Sequence, residues 1–372
     1  MNIKTTVCPE VRTTRIKIVG FYDSVLYIAP DKKAGDSNVS SIEIYSVHAL
    51  VPKSWKLISG IPAREVVVLE FSLSPDGEFI YCLFIGILKD NNIPTINMIK
   101  ISTADGEIFI YSLNPESGDD FEQVFIQQMG IRCGKQGLYM FDRTLAMGRI
   151  PFWEIVLDDK DHQFTIHPNP IPAHAPEYQC NRFPLMLNPD NREVVKVSNS
   201  DMLLVFDGVK NEWHPYYPDE ENQFDISSAP SRGIQETYGR NGQRFGAIDT
   251  KMTFFGTADN CMLKVSEKGM HYFYSFDIDR EKRTYKLLKR AQIPQLRDSL
   301  SYRLASSDKR IALISRQTVV FILIQPPTLR ELAFWGVQQQ LATESPTGCW
   351  TGGITEYELK NMCQIKYAMP LI

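Results

Sequence analysis

The stretch Phe71 to Ile85, FSLSPDGEFIYCLFI, recurs along the chain, and that recurrence constrains the fold more than any other feature. An apolar run enters a Ser-Pro-Asp-Gly turn and a second apolar run leaves it. Pro75 presets φ for the turn and Gly77 accepts the positive φ that closes it, so the stretch reads as a β-hairpin. Leu187 to Val197 (LNPDNREVVKV) and Leu304 to Ile314 (LASSDKRIALI) repeat the pattern. Aligned on Leu73, Leu187 and Leu304, these copies lie 114 and 117 residues apart. Weaker copies sit near the midpoints, at 131–141 and 247–255, and an opening copy spans 18–28. The spacing halves to a period of about 57 residues, and a fixed period of this order marks a repeat architecture.

A second strand pair follows each hairpin. Third-strand segments begin at 42, 96, 152, 202, 272 and 319. Fourth-strand segments follow at 55–58, 108–113, 164–167, 213–217, 285–288 and 329–335. The runs are short, aromatic and β-branched, with turn residues between them, which is the strand signature. No segment supports the long helices of a βαβ fold. Four antiparallel strands cannot bury both faces alone, whereas radial stacking of several such units can. The expectation is all-β: a single domain over residues 1–372, folded as one closed β-propeller of six four-stranded antiparallel blades between residues 13 and 335. The leading strand of each hairpin should be innermost. Residues 354–369 should close the ring, on Lys4 to Val7 or Thr13 to Val19, with a half-built seventh blade as the alternative.

The Ser-Pro-Asp-Gly turn between first and second strands resembles WD40 and related propeller repeats. Aromatic residues at the fourth strand (Trp55 and Trp213, with Trp153 on a third strand) resemble kelch repeats. The chain departs from both patterns. No Gly-His or Trp-Asp pair recurs, and the kelch double glycine occurs only at Gly352-Gly353, outside the main repeats. The resemblance therefore implies an architecture that hosts many activities, not one activity.

The chemistry on offer is sparse. Forty basic against 44 acidic residues leave a net charge of −4, which speaks against non-specific nucleic-acid binding. A charged face for nucleic acid or histone tails stays open as a third reading. The first residues, MNIKTTVCPEVRTTRIK, contain no apolar core of leader length. No run approaches the roughly 18 apolar residues of a membrane span. Seven scattered cysteines form no CxxC pair, which points to reduced thiols in the cytoplasm or nucleus. Three of the six histidines (His162, His167, His174) fall in a proline-rich stretch, without the tight spacing of a zinc site. Nucleophile-elbow and phosphate-loop motifs are absent. The chain is thus expected to need no cofactor or metal and to be no enzyme. The alternative is a propeller enzyme, a metal-dependent hydrolase or lactonase, with carboxylates at the central channel. Asp76, Asp190, Asp249 and Asp308 recur at equivalent turn positions. Capping of the turn backbone is the competing role for these four.

Two stretches read as contact surfaces. Residues 216–246 form an insertion, because this unit spans 70 residues where its siblings span 47 to 56. The insertion begins acidic and ends basic and aromatic, with Tyr216, Tyr217, Arg232, Tyr238, Arg240, Arg244 and Phe245 as candidate binding residues. Tyr and Arg give large contact area and forked hydrogen bonding, and long loops in compact repeats carry function. Residues 168–178, with four prolines, form a stiff connector or a ligand for a proline-reading domain. The function expected is a non-catalytic protein-interaction scaffold or recognition module, with a protein as partner.

Overall fold

The computed structural model describes residues 4–7, 16–30, 41–49, 55–62, 64–87, 95–114, 129–142, 152–178, 186–198, 200–220, 226, 252–257, 260–294, 303–314, 318–325 and 329. Every element among them is a strand, and the strands form successive antiparallel meanders. Meander one comprises Ile16–Tyr22, Val25–Pro30, Ser41–His48 and Trp55–Pro62. Meander two comprises Arg64–Leu73, Phe79–Ile87, Thr95–Ser102 and Ile108–Leu113. Meander three comprises Met129–Cys133, Leu138–Asp142, Phe152–Asp158 and Gln163–Pro168. Meander four comprises Met186–Asn188, Glu193–Val197, Leu203–Asp207 and Glu212–Pro218. Meander five comprises Met252–Thr257, Asn260–Glu267, Met270–Asp279 and Thr284–Pro294.

The sixth meander takes strands from both ends of the chain. Arg303–Ser306, Arg310–Ile314 and Thr318–Leu323 follow one another, and the fourth strand is Lys4–Val7. Lys4 lies opposite Phe321 and Val7 opposite Thr318. This corrects the expectation that 329–335 supplies that strand. The N-terminal strand fills the edge of Thr318–Leu323, and Leu329 is 84% exposed rather than packed. Residues 354–369 lie outside the described residues.

Among the described residues, six core clusters hold the meanders together, and each is shared by two successive ones. Phe71, Phe84 and Ile99 pack with Val19 and Ile44 between meanders one and two. Leu83 and Tyr111 pack with Ile131 and Phe164 between two and three. Phe141 and Phe152 meet Val194 and Phe206 between three and four. Val205 and Tyr216 meet Leu263 and Tyr285 between four and five. Phe273 and Ile293 meet Leu313 and Ile322 between five and six. Phe321 and Ile314 meet Phe21 and Leu26, which brings the sixth meander back onto the first. Leading strands lie side by side: Ile16–Tyr22 touches both Arg64–Leu73 and Arg303–Ser306. The fold is all-β and propeller-like.

The recurrent turn shows why the repeat closes as it does. Gly77 has φ +76°, and its amide donates to Ser74 O at 2.9 Å. The Ser74 hydroxyl accepts from Phe79 N at 2.9 Å, and Asp76 accepts from Glu78 N at 3.0 Å. A Cβ on Gly77 would sit 2.4 Å from the Tyr22 ring of meander one. The glycine therefore serves both the turn and the packing of its neighbour.

Candidate contact surface

Among the described residues, the fourth, outer strands of neighbouring meanders pair at two seams. At the seam of meanders two and three, Gln163 and Phe164 run parallel to Ser112 and Leu113. At the seam of four and five, Thr284 and Tyr285 run parallel to Tyr217 and Pro218. The second seam gathers the exposed aromatic and forked cationic groups that a contact surface needs.

The Glu212–Pro218 strand alternates, so consecutive tyrosines face opposite ways. Tyr216 is 6% exposed and belongs to the core between meanders four and five. Burial pushes its hydroxyl pKa up, and the nearby Arg280 pulls the other way. Tyr217 is 57% exposed. Its amide donates to Arg283 O at 3.0 Å, and the next amide along the chain, Asp219 N, donates to Tyr285 O at 2.8 Å. The exposed tyrosine thus stands on a backbone held to the neighbouring strand on both sides of Pro218.

The turn beside it, Arg280 to Arg283, is built locally. Asp279 accepts from Glu281 N and Lys282 N, both at 3.0 Å, and Arg283 takes φ +54° to re-enter the sheet. Those backbone donors hold the Asp279 carboxyl below its usual range. Arg280 reaches into meander four and grips Glu193 with two nitrogens, at 2.9 and 3.2 Å. Asp207 caps the corresponding turn of meander four through Val209 N and Lys210 N, and Val209 at its tip is 86% exposed.

The insertion after meander four is pinned where it is described. Ile226 is fully buried in the core between meanders four and five, and its amide donates to Asp201 Oδ1 at 2.7 Å. The Tyr285 hydroxyl donates to Asp201 O at 2.8 Å. Of the candidate residues from sequence, Tyr216 is core and Tyr217 is surface. Arg232, Tyr238, Arg240, Arg244 and Phe245 lie outside the described residues. Sequence reasoning missed Arg280 and Arg283. The pairing that sets them beside Tyr217 has no local signal.

The recurrent carboxylates have other work. Asp76 caps its own turn. Asp190 crosses to meander three, where it accepts from Lys135 N and Gln136 N at 3.0 Å each. Asp308 is exposed and Asp249 lies outside the described residues. Among the described residues no group of three or more His, Cys, Asp or Glu could hold a metal. Cys133 is partly buried, and burial pushes its thiol up to about 12, so it stays protonated at neutral pH. The proline-rich stretch is a docked connector. Ile171 and His174 are buried, and the Trp213 indole N–H donates to Pro172 O at 2.9 Å. His174 meets the Trp213 ring edge-on.

No protein-family model matches the chain, and no curated protein matches it. Among solved structures the chain is similar to one of a complex of KlAtg21 with the coiled coil of AgAtg16. Identity is 14%, coverage is 74% of this chain and 69% of that one, and the TM-score is 0.32. It is also similar to the Pseudomonas aeruginosa periplasmic gluconolactonase PpgL. There identity is 10%, coverage is 78% and 84%, and the TM-score is 0.33. At these values neither likeness bears on activity.

Proposed function

We propose that the six meanders are the blades of one closed propeller, and that the chain is a non-catalytic recognition module for another protein. The cyclic sharing of the six cores and the pairing of Lys4–Val7 with Thr318–Leu323 support the closed ring. Removing residues 1–7 is expected to lower the unfolding midpoint of the whole chain in one transition. An unchanged midpoint would contradict closure.

One observation carries the recognition reading. Tyr217 is 57% exposed on a hydrogen-bonded seam, next to a turn that presents Arg280 and Arg283. Tyr and Arg are the residue types enriched at interface hot spots, and a preorganised backbone lowers the cost of binding. A cytoplasmic or nuclear setting fits the described cysteines, Cys82, Cys133 and Cys261, none of which is in a disulfide. Affinity capture from the native cell, repeated with Tyr217→Ala, tests the reading. Loss of the captured partner at unchanged melting temperature is the expected result. Equal capture by wild type and variant overturns this surface.

A further inference from the structure

The geometry points to an acidic, carboxylate-bearing protein segment as the ligand of the 280–283 turn. This rests on the reading of the seam of meanders four and five as the contact surface. It adds the chemistry of what that surface takes.

The observation is a reversal of charge on a conserved backbone. The turns before the outer strands of meanders three and five have the same construction. Asp158 caps one through Lys160 N and Asp161 N, and Asp279 caps the other through Glu281 N and Lys282 N. Each ends in a positive-φ residue, His162 at +52° and Arg283 at +54°. Each presents that residue's carbonyl to the neighbouring outer strand, at Ser112 N and Tyr217 N. Position by position, Asp159, Lys160 and Asp161 become Arg280, Glu281 and Lys282. The backbone needs neither set of charges, since both sets fold into the same turn.

Residues 158–161 sum to a formal charge of −2, and residues 279–283 to +1. Of the nearby carboxylates, Asp279 and Asp207 accept from turn amides and Glu193 pairs with Arg280, while Asp219 and Glu220 lie further along the chain from Tyr217, past the turn. Arg280 is taken up by Glu193 and Lys282 stands 3.7 Å from Asp279, so the turn's outward charge beyond these pairs is Arg283, with Glu281 as the exposed acid beside it. A guanidinium offers a planar fork that matches a carboxylate, so Arg283 supplies both charge and direction. Tyr217 supplies a flat apolar face beside it, and the two together fit an acidic segment that also carries an apolar side chain.

The test is fluorescence anisotropy with a short labelled glutamate-rich peptide carrying one leucine, and a lysine-rich peptide as control. Binding of the acidic peptide to the full chain is expected, weakening as salt rises. Arg283→Ala should weaken it about tenfold, and Glu281→Lys should strengthen it. Melting curves of both variants should overlay wild type, because these side chains are exposed. No binding of the acidic peptide, indifference to Arg283→Ala, or equal binding of the lysine-rich peptide overturns the inference. Stronger binding of single-stranded DNA than of the peptide, lost in Arg283→Ala, also overturns it in favour of a nucleic-acid ligand. Concentration-dependent self-association abolished by Asp161→Ala assigns the turn to a second copy of the chain instead, and overturns it too. If Tyr217→Ala loses the native partner while no acidic peptide binds, the contact surface stands and only its ligand chemistry falls.

Discussion

The seams of meanders two–three and four–five use one backbone device for two kinds of contact. In both, a capped turn ends in a positive-φ residue whose carbonyl accepts from the adjacent outer strand, at 3.0 Å in each case. In both, an aromatic of the following strand fills the core: Phe164 is 2% exposed and Tyr285 is 1% exposed. The side chains then diverge. Tyr111 donates its hydroxyl to Asp159, so the first seam is locked by a tyrosine–carboxylate bond. The equivalent Tyr216 makes no hydrogen bond through its hydroxyl among the described residues, and Arg280 turns away to Glu193. Ser112 follows Tyr111 where exposed Tyr217 follows Tyr216. The lesson is that backbone pairing supplies the joint and leaves the outward side chains open for recognition.

The harshest way to break the comparison is to empty both seams. Phe164→Ala and Tyr285→Ala should each cost about 3–5 kcal/mol, since each leaves a cavity in a closed core. Tyr285→Ala should also loosen the insertion, because the hydroxyl helps hold Asp201, which receives Ile226 N. Chemical denaturation measures the first effect, and faster proteolysis after residue 226 in Tyr285→Ala alone reads the second. A sharper test removes single hydroxyls. Tyr111→Phe should cost about 1.5 kcal/mol for a bond to a charged acceptor, while Tyr216→Phe should cost less than about 0.5 kcal/mol. Equal costs would erase the distinction between a locked and an unlocked seam.

Arg280→Ala comes next in size. Arg280 is 62% exposed and its pair with Glu193 is screened, so the stability lost should stay below about 1 kcal/mol and shrink with salt. The smallest effect expected is acid-dependent. Backbone donors from Lys210 and Lys282 lead in holding Asp207 and Asp279 below the ordinary carboxylate value of 3.8. A depressed folded pKa contributes stability above that ordinary value and loses it as pH falls through the depressed one. The acid limb of the melting curve, below about pH 4, should therefore flatten in Asp207→Asn and Asp279→Asn. An acid limb identical to wild type would show that these caps do not titrate with folding.

Much of the fold was legible because strands and turns are local events. The third strands begin at 41, 95, 152, 203, 270 and 318, within two residues of the segments read from sequence. Period-two burial and the positive φ demanded at Gly77 explain that agreement. The candidate site was less legible. Tyr216 and Tyr217 are the same residue type in the same strand, and only the packing of meander five onto that strand buries one and exposes the other. Arg280 and Arg283 carried no mark beyond charge.

The chain by itself determined that short strands recur with turns between them, because sterics and side-chain alternation act over a few residues. Tertiary structure decided which strands meet. Lys4–Val7 rather than 329–335 completes the sixth meander, and Tyr217 lies beside Arg283 rather than on a free edge. These pairings join residues far apart in sequence. Backbone amides and carbonyls are alike at every position, so local pattern does not name the partner, and the cores shared between meanders select it.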